Sequence, residues 1–232
     1  MTVRKAMILA AGFGKRMLPL TERKPKPLIK IGLKNLLERT IELLIKIGVD
    51  ELVINTHYLS YEIDNFLKDK NYGISISAIK EEQLLDTGGG ILNATRRFEK
   101  DPFFVLNPDT VWNKNYYEEL KILENSYLQN NKPILLLVDK INSYDKSFTG
   151  DFNLKENKYI VRETTNQLIF TGAQIINRSI FKEIKKNSFS MNLVWNKMIK
   201  EKNLLGQESS QTFFHINNIK VYKELYKLKF ID

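Results

Sequence analysis

The chain has no cysteine, which excludes disulfide bridges and thiolate metal sites. It has no apolar run near the ~20 residues that a membrane-crossing helix needs, so no membrane partner is expected. It does not open with an export signal either. Arg4 and Lys5 precede a short apolar stretch, Ala6 to Ala11, but Lys15 and Arg16 follow too soon, so the stretch reads as a buried first strand. The cytoplasm is therefore the expected location. Internal repeats, low-complexity tracts and clear linkers are absent as well. What is present is the composition of an ordinary globular protein: 232 residues, 43% hydrophobic and 27% charged, with a formal charge of +9. The surplus lysines are scattered, and no DNA or RNA recognition motif accompanies them. The charge therefore reads as a lysine-rich bias or as provision for a small anionic substrate, and no nucleic-acid partner is expected.

Apolar runs alternate with helical patterns over the first 140 residues. Strands are expected at Lys5–Ala10, Leu52–Asn55, Ile74–Ile79, Phe103–Leu106 and Pro133–Val138, with helices at Leu36–Ile47, Ser60–Leu67 and Gly90–Phe98. Asn35 with Glu38 three residues later forms a capping box, and Gly48 suits a helix stop. Such alternation implies α/β architecture: a mostly parallel sheet with helices on both faces and ligands beyond the carboxyl ends of the strands. From about Asn142 the pattern changes. Short antiparallel strands are expected at Gly150–Leu154, Lys158–Val161 and Leu168–Phe170, then a return into the main sheet at Thr171–Ile176. Helices at Ser179–Lys186 and Met191–Lys200, a strand at Phe213–Ile216 and a closing helix at Asn218–Lys227 complete the pattern.

Several segments carry chemistry. The first strand runs into Ala10-Ala11-Gly12-Phe13-Gly14-Lys15-Arg16-Met17, then Pro19-Leu20-Thr21 and Lys24-Pro25-Lys26-Pro27-Leu28. Two glycines let the backbone turn tightly and bring N–H groups near a polyphosphate, while Lys15, Arg16 and Lys26 add cations. The loop lacks the third glycine of a dinucleotide fingerprint and the Gly-Lys-Ser/Thr of a P-loop, so its spacing fits a tight surface turn equally well. Asp86-Thr87-Gly88-Gly89-Gly90 places three glycines before a helix, which suits close approach of a ligand or a flexible turn. Leu106-Asn107-Pro108-Asp109 puts a carboxylate at a strand's carboxyl end, fit for a hard cation or for a simple Asx turn.

The run Leu9-Ala10-Ala11-Gly12-x-Gly14-x-Arg16 through Pro19-Leu20-Thr21 to Pro25-Lys26-Pro27-Leu28 resembles the signature of the sugar nucleotidyltransferases. The other segments match that family in order, and the likeness covers essentially the whole chain. Within the family, the chain resembles the bacterial N-acetylmuramate 1-phosphate uridylyltransferase group of cell-wall recycling; Gly150-Asp151-Phe152 matches that group too. The resemblance implies a Rossmann-like three-layer α/β/α, GT-A-like nucleotidyltransferase fold with a small antiparallel insertion. It also implies a single domain, 1–232, with a nucleotide-binding half to about residue 140 and a sugar-phosphate half from about 141. By the same resemblance, Arg16, Lys26 and Asp109 are catalytic. Leu9, Ala11, Gly12, Gly14, Lys15, Glu81, Thr87, Gly88 and Gly89 bind the nucleotide. Asn107, Asp151, Thr171 and Gly172 line the sugar, although an ordinary hairpin role suits Asp151 as well. Glu81 would accept the N3–H of uracil, which favours UTP.

The pattern departs from the family at three points: Asp86 stands for Glu, Pro108 for Gly, and His215 falls where a second metal-binding Asp is usual. Asp109 would hold Mg²⁺, but a histidine is a poor magnesium ligand. Three readings stay open: Asn217 or Asn218 lends an amide oxygen, Asp109 with phosphates and water suffices, or catalysis is weakened. A core or hydrogen-bonding role suits both His215 and His57. The expected activity is transfer of a nucleoside monophosphate, with UTP as donor, to a sugar 1-phosphate such as N-acetylmuramate 1-phosphate, releasing pyrophosphate. Transfer to another hexose 1-phosphate or to phosphocholine, and nucleotide binding without turnover, are the alternatives.

Overall fold

Alternation within the strands builds two cores at once. The structure, a computed structural model, describes residues 2–228. Strands β1 (Lys5–Leu9), β4 (Glu51–Thr56), β5 (Ser75–Lys80), β6 (Phe103–Leu106), β7 (Ile134–Asp139), β10 (Leu168–Ile176) and β11 (Leu205–Ser209) form one seven-stranded sheet, ordered β11-β7-β10-β6-β1-β4-β5. Only β10 runs against its neighbours, β6 and β7. Ala6, Ile8, Leu52, Ile54, Phe104, Leu106, Ile134 and Leu136 face one way. There they meet helices α1 (Leu36–Lys46), α2 (Ser60–Lys68) and α4 (Tyr116–Asn130). Met7, Val53, Phe103, Val105, Leu135 and Leu137 face the other, against α3 (Asp86–Ala94) and α5 (Met191–Lys200). This period of two puts successive side chains on opposite faces, as a doubly covered parallel sheet requires. Hairpin β2/β3 (Lys30–Ile31, Lys34–Asn35) precedes α1, and the insertion β8/β9 (Asn153–Leu154, Ile160–Val161) packs on the second core. No described helix is long and apolar enough to cross a membrane.

The α1 cap forms as expected: Asn35 Oδ1 accepts from the Glu38 N–H at 2.7 Å. Helix α6 (Ile219–Lys227) closes the described chain, with the Asn218 side chain accepting from the Val221 N–H. Its Val221 and Leu225 pack with Met17, Ile29, Val111 and Ile216 in a small cluster under the site.

Five expectations are corrected. The helix expected at Gly90–Phe98 starts at Asp86, so the three glycines lie inside it and not before it. The helix expected at Ser179–Lys186 is only a 3-10 turn at Arg178–Phe181, after which residues 187–190 cross the start of α3. Phe213–Ile216 is no strand; it makes isolated bridges from Phe213 to Ser143 and from His215 to Thr110. The stretches expected as Leu168–Phe170 and Thr171–Ile176 are one strand, β10, with an irregularity between Phe170 and Gln174, and the hairpin strands are only two residues long. Helix α4, strand β11 and hairpin β2/β3 were not expected.

Candidate active site

The carboxyl ends of β1, β4, β5 and β6 open into a hollow of about 550 Å³. Its lining falls into two chemical regions. One holds Gly12, Gly14, Lys15, Arg16, Lys26, Asp109 and Asn217; the other holds Asn55, Glu81, Leu84, Asp86, Thr87 and Ser188. Leu9, Ala10 and Ala11 also line it.

The glycine bend is built by its neighbours. Gly14 has φ +66°, and a Cβ there would lie 3.0 Å from Thr21 Cγ2 and 3.2 Å from Lys26 Cβ, so any side chain would be both strained and crowded. The Thr21 hydroxyl donates to the Gly14 carbonyl at 3.0 Å. Residues 15–17 then form a 3-10 turn that buries Met17. The Phe13 ring rests against His57 and Tyr58, and the Tyr58 hydroxyl donates to the Thr21 carbonyl at 2.8 Å. Arg16 is exposed and makes no hydrogen bond or ion pair with another described residue. Lys15 sits over the Phe13 ring.

Lys26 Nζ lies 2.6 Å from Asp109 Oδ2, and His215 Nε2 lies 3.2 Å from the same oxygen. Burial pushes the Asp109 carboxyl upward, but the Lys26 charge and the His215 ring outweigh it and hold Asp109 well below the usual carboxylate range. Asp109 Oδ1 is shielded and accepts no hydrogen bond. His215 is sandwiched by aromatics: its ring stacks on Phe213 and meets Phe148 edge-on. Asn217 spends its amide on Asp145 and Asn218, and the Asn218 oxygen caps α6. Of the residues considered beside Asp109, it is thus His215 that touches it. Among the described residues, no group of three His, Asp or Glu side chains could hold a metal ion.

At the other end, Glu81 is 2% exposed. Its Oε1 accepts from Asn55 Nδ2 at 2.6 Å and its Oε2 from the Leu85 N–H at 3.1 Å. Asn55 Oδ1 in turn accepts from the Ala10 N–H at 2.9 Å, so one network ties the ends of β1, β4 and β5. Sequence reasoning missed Asn55, although it ends an apolar strand just as Asp109 does.

Gly88 and Gly89 do not line the hollow. A Cβ on Gly88 would strike the Phe189 ring, one on Gly89 the Asn187 carbonyl oxygen, and one on Gly90 the Asn55–Glu81 pair. The Gly89 N–H donates to the Phe189 carbonyl, and the Thr87 hydroxyl accepts from the Met191 N–H. The start of α3 is thus partly covered by residues 187–191. Ser188 of that segment reaches the hollow, a contribution no motif announced.

Of the four residues expected to line a sugar, Asn107 lines the hollow. Gly172 (φ +93°) packs against Asn107, where a Cβ would fall 2.9 Å from the Asn107 Cβ. The Thr171 hydroxyl is buried and donates to the Leu136 carbonyl. Asp151 accepts from the Phe170 N–H and so pins the hairpin.

A model of the family described as nucleotidyl transferase matches residues 5–140. The chain belongs to the nucleotidyl transferase family. It is 25% identical over 221 residues to the N-acetylmuramate alpha-1-phosphate uridylyltransferase of Caulobacter vibrioides, covering 92% of this chain and 91% of that protein. It is 40% identical over 110 residues to a mannose-1-phosphate guanylyltransferase catalytic subunit beta of Dictyostelium discoideum, covering 46% of this chain and 31% of that protein. A UDP-glucose pyrophosphorylase solved with UDP-glucose superimposes with a TM-score of 0.78 at 19% identity, over 97% of this chain and 98% of that one, and so shares the fold. As a nucleotidyltransferase, the chain carries the family's matched segment on the elements that build the hollow: the glycine bend, Lys26, Asn55, Glu81 and Asp109 all lie within it.

Proposed function

We propose that this enzyme transfers UMP from UTP to a sugar 1-phosphate, N-acetylmuramate 1-phosphate or a near relative, and releases pyrophosphate. The observation that carries the proposal is the glycine bend meeting Arg16 and the Lys26–Asp109 pair in one hollow, beside a second end suited to a nucleoside. The Caulobacter relative, matched over nearly its full length, supports the acceptor and the base; the Dictyostelium relative is named for a different base and sugar.

In this reading the triphosphate lies along the backbone of residues 12–16. A phosphate oxygen of the sugar 1-phosphate attacks the α-phosphorus in line, and the bond to the bridging α–β oxygen breaks as pyrophosphate departs. The attacking oxygen is already anionic, so no general base and no covalent enzyme intermediate are needed. The protein's work is positioning and charge neutralisation. Arg16, which has no partner among the described residues, meets the outer phosphates. Lys26 counters charge on the transferring group. Asp109 Oδ1, lacking a hydrogen bond, fits a divalent cation such as Mg²⁺, which would supply further neutralisation of the phosphates when bound. Asn107 and Gly172 lie on the acceptor side, with Asp151 and Thr171 holding the backbone there. The halves 1–140 and 141–232 would then serve nucleotide and acceptor, with Ser188 crossing between them, in a cytoplasmic enzyme with no nucleic-acid partner.

The test is pyrophosphate release from each NTP with a panel of sugar 1-phosphates and phosphocholine in the presence of Mg²⁺. Release that requires both UTP and a sugar 1-phosphate is expected. No release with any pair, together with Lys26→Ala binding nucleotide as wild type does, overturns the proposal. His215 in place of a second carboxylate is the one feature that favours a binding protein without turnover. Calorimetric binding of UTP with no release from any acceptor would select that reading.

A further inference from the structure

Glu81 looked, from sequence, like the residue that meets the base. The structure commits both its oxygens elsewhere, to Asn55 and to the Leu85 N–H, with the side chain nearly sealed from solvent. Glu81 therefore frames this end of the hollow. A different carboxylate on the same wall has capacity left. Asp86 lines the hollow, is exposed, and holds φ +59°. That left-handed conformation is uncommon outside glycine, is tolerated by Asp and Asn, and clusters at functional sites in other residues. Its Oδ1 accepts from the Thr87 N–H at 2.6 Å, while Oδ2 has no hydrogen bond and no cation among the described residues. Of the cations lining the hollow, Lys26 pairs with Asp109 and Lys15 sits over the Phe13 ring, and none of Lys15, Arg16 and Lys26 bonds to Asp86.

We infer that Asp86 reads the base, admitting nucleobases whose ring nitrogen carries hydrogen beside a carbonyl, as in uracil, thymine and guanine, over cytosine and adenine. A carboxylate only accepts hydrogen bonds. The N3–H of uracil and the N1–H of guanine can donate to Oδ2. Cytosine N3 and adenine N1 present a lone pair instead, which a carboxylate facing the ring nitrogen repels, and their amino N–H groups sit beside that position, so the base must shift for them to donate to Oδ2. The inference rests on the nucleotide reading of this hollow.

Asp86→Asn separates the roles. The amide oxygen can still accept from the Thr87 N–H, and asparagine suits φ +59°, but Oδ2 becomes an NH₂ donor. Asp86→Gly, also compatible with that backbone, removes both oxygens. Calorimetric titration of UTP, GTP, CTP and ATP with Mg²⁺ and no acceptor is compared for wild type, both variants and Lys26→Ala. Wild type is expected to bind UTP and GTP at least about tenfold tighter than CTP and ATP, the scale of one charge-assisted hydrogen bond. Asp86→Asn should weaken UTP and GTP by about the same factor and leave CTP and ATP as tight or tighter; Asp86→Gly should level the four. An unchanged UTP-to-CTP ratio in the folded variants overturns the inference while leaving the nucleotide reading intact. Wild type binding no NTP, or Lys26→Ala binding each as wild type does, overturns the nucleotide reading itself.

Discussion

Replacing Gly89 by alanine should destabilise the protein, against the ordinary rule for helices. Alanine inside a helix is better than glycine by about 1 kcal/mol. At Gly89 the added Cβ falls on the Asn187 carbonyl oxygen, a backbone atom with no side-chain freedom to yield. Residues 187–191 must lift. That movement puts at risk the bonds from the Gly89 N–H to Phe189 O (3.0 Å), from the Phe189 N–H to Leu85 O (3.1 Å) and from the Met191 N–H to Thr87 Oγ1 (2.9 Å). Three hydrogen bonds contribute about 1 kcal/mol each. Loosening the Phe189 ring, 6% exposed, costs about 2 kcal/mol more if it leaves its site. Set against the helix gain, the net loss is about 2–4 kcal/mol, or roughly 5–15 °C in Tm for a chain of this size. Urea and thermal unfolding of Gly89→Ala measure it. Gly12→Ala is the control: a Cβ there meets nothing within 4 Å, so stability should stay within about 0.5 kcal/mol of wild type. A Gly89→Ala protein as stable as wild type, or more so, refutes the claim that the glycines exist for protein packing.

Lys26→Ala should lower kcat for pyrophosphate release by about 10²–10³, the scale of losing one charge-stabilising group, with little change in the far-ultraviolet circular dichroism. His215→Asp puts a second carboxylate beside Asp109 and should raise Mn²⁺ affinity in the absence of nucleotide, read by electron paramagnetic resonance; unchanged affinity would mean that His215 lies off the cation's position. Acid stability carries a further test. Asp109 is held below its unfolded value, so its contribution is present in full above about pH 4. It is lost progressively as pH falls from there toward the folded value. Wild-type stability should therefore drop more steeply than that of Asp109→Asn between pH 4 and pH 2 in urea titrations. Tyr58→Phe removes the bond to the Thr21 carbonyl and should raise KM for the NTP more than it changes kcat, since it loosens the bend and not the reacting groups.

The sheet was readable because its strands are short apolar runs between helical patterns, and the polar residues that end them, Asp109 above all, stand out against that background. Helix α4 escaped notice because its buried stripe of Tyr116, Leu120, Leu123 and Tyr127 is diluted by charged and amide residues. Strand β11 has a glycine and polar residues where a strand usually shows branched ones, and its parallel pairing with β7 supplies what local propensity does not. The three glycines were noticed for close approach of other atoms, but what approaches is the chain itself: Phe189 and Asn187, about a hundred residues on, at Gly88 and Gly89, and the earlier Asn55–Glu81 pair at Gly90. Local sequence cannot report such a contact. The same distance hides Ser188, whereas the meeting of His215 with Asp109 was legible through the family resemblance, which set His215 at the position of a second metal ligand. Glu81 was visible as a carboxylate near the glycines. That Asn55 and a backbone N–H already hold it depends on three strand ends meeting.

The central claim is that the bend at Gly12 to Arg16, with Lys26, receives the triphosphate. Crystals grown with a non-hydrolysable UTP analogue and Mg²⁺ test it most directly. The account predicts phosphates along the backbone of residues 12–16 within reach of Arg16 and Lys26, and the base at the Glu81–Asp86 end. Density for the nucleotide elsewhere, for example in the open hollow beside Lys140 and Lys146, would contradict it.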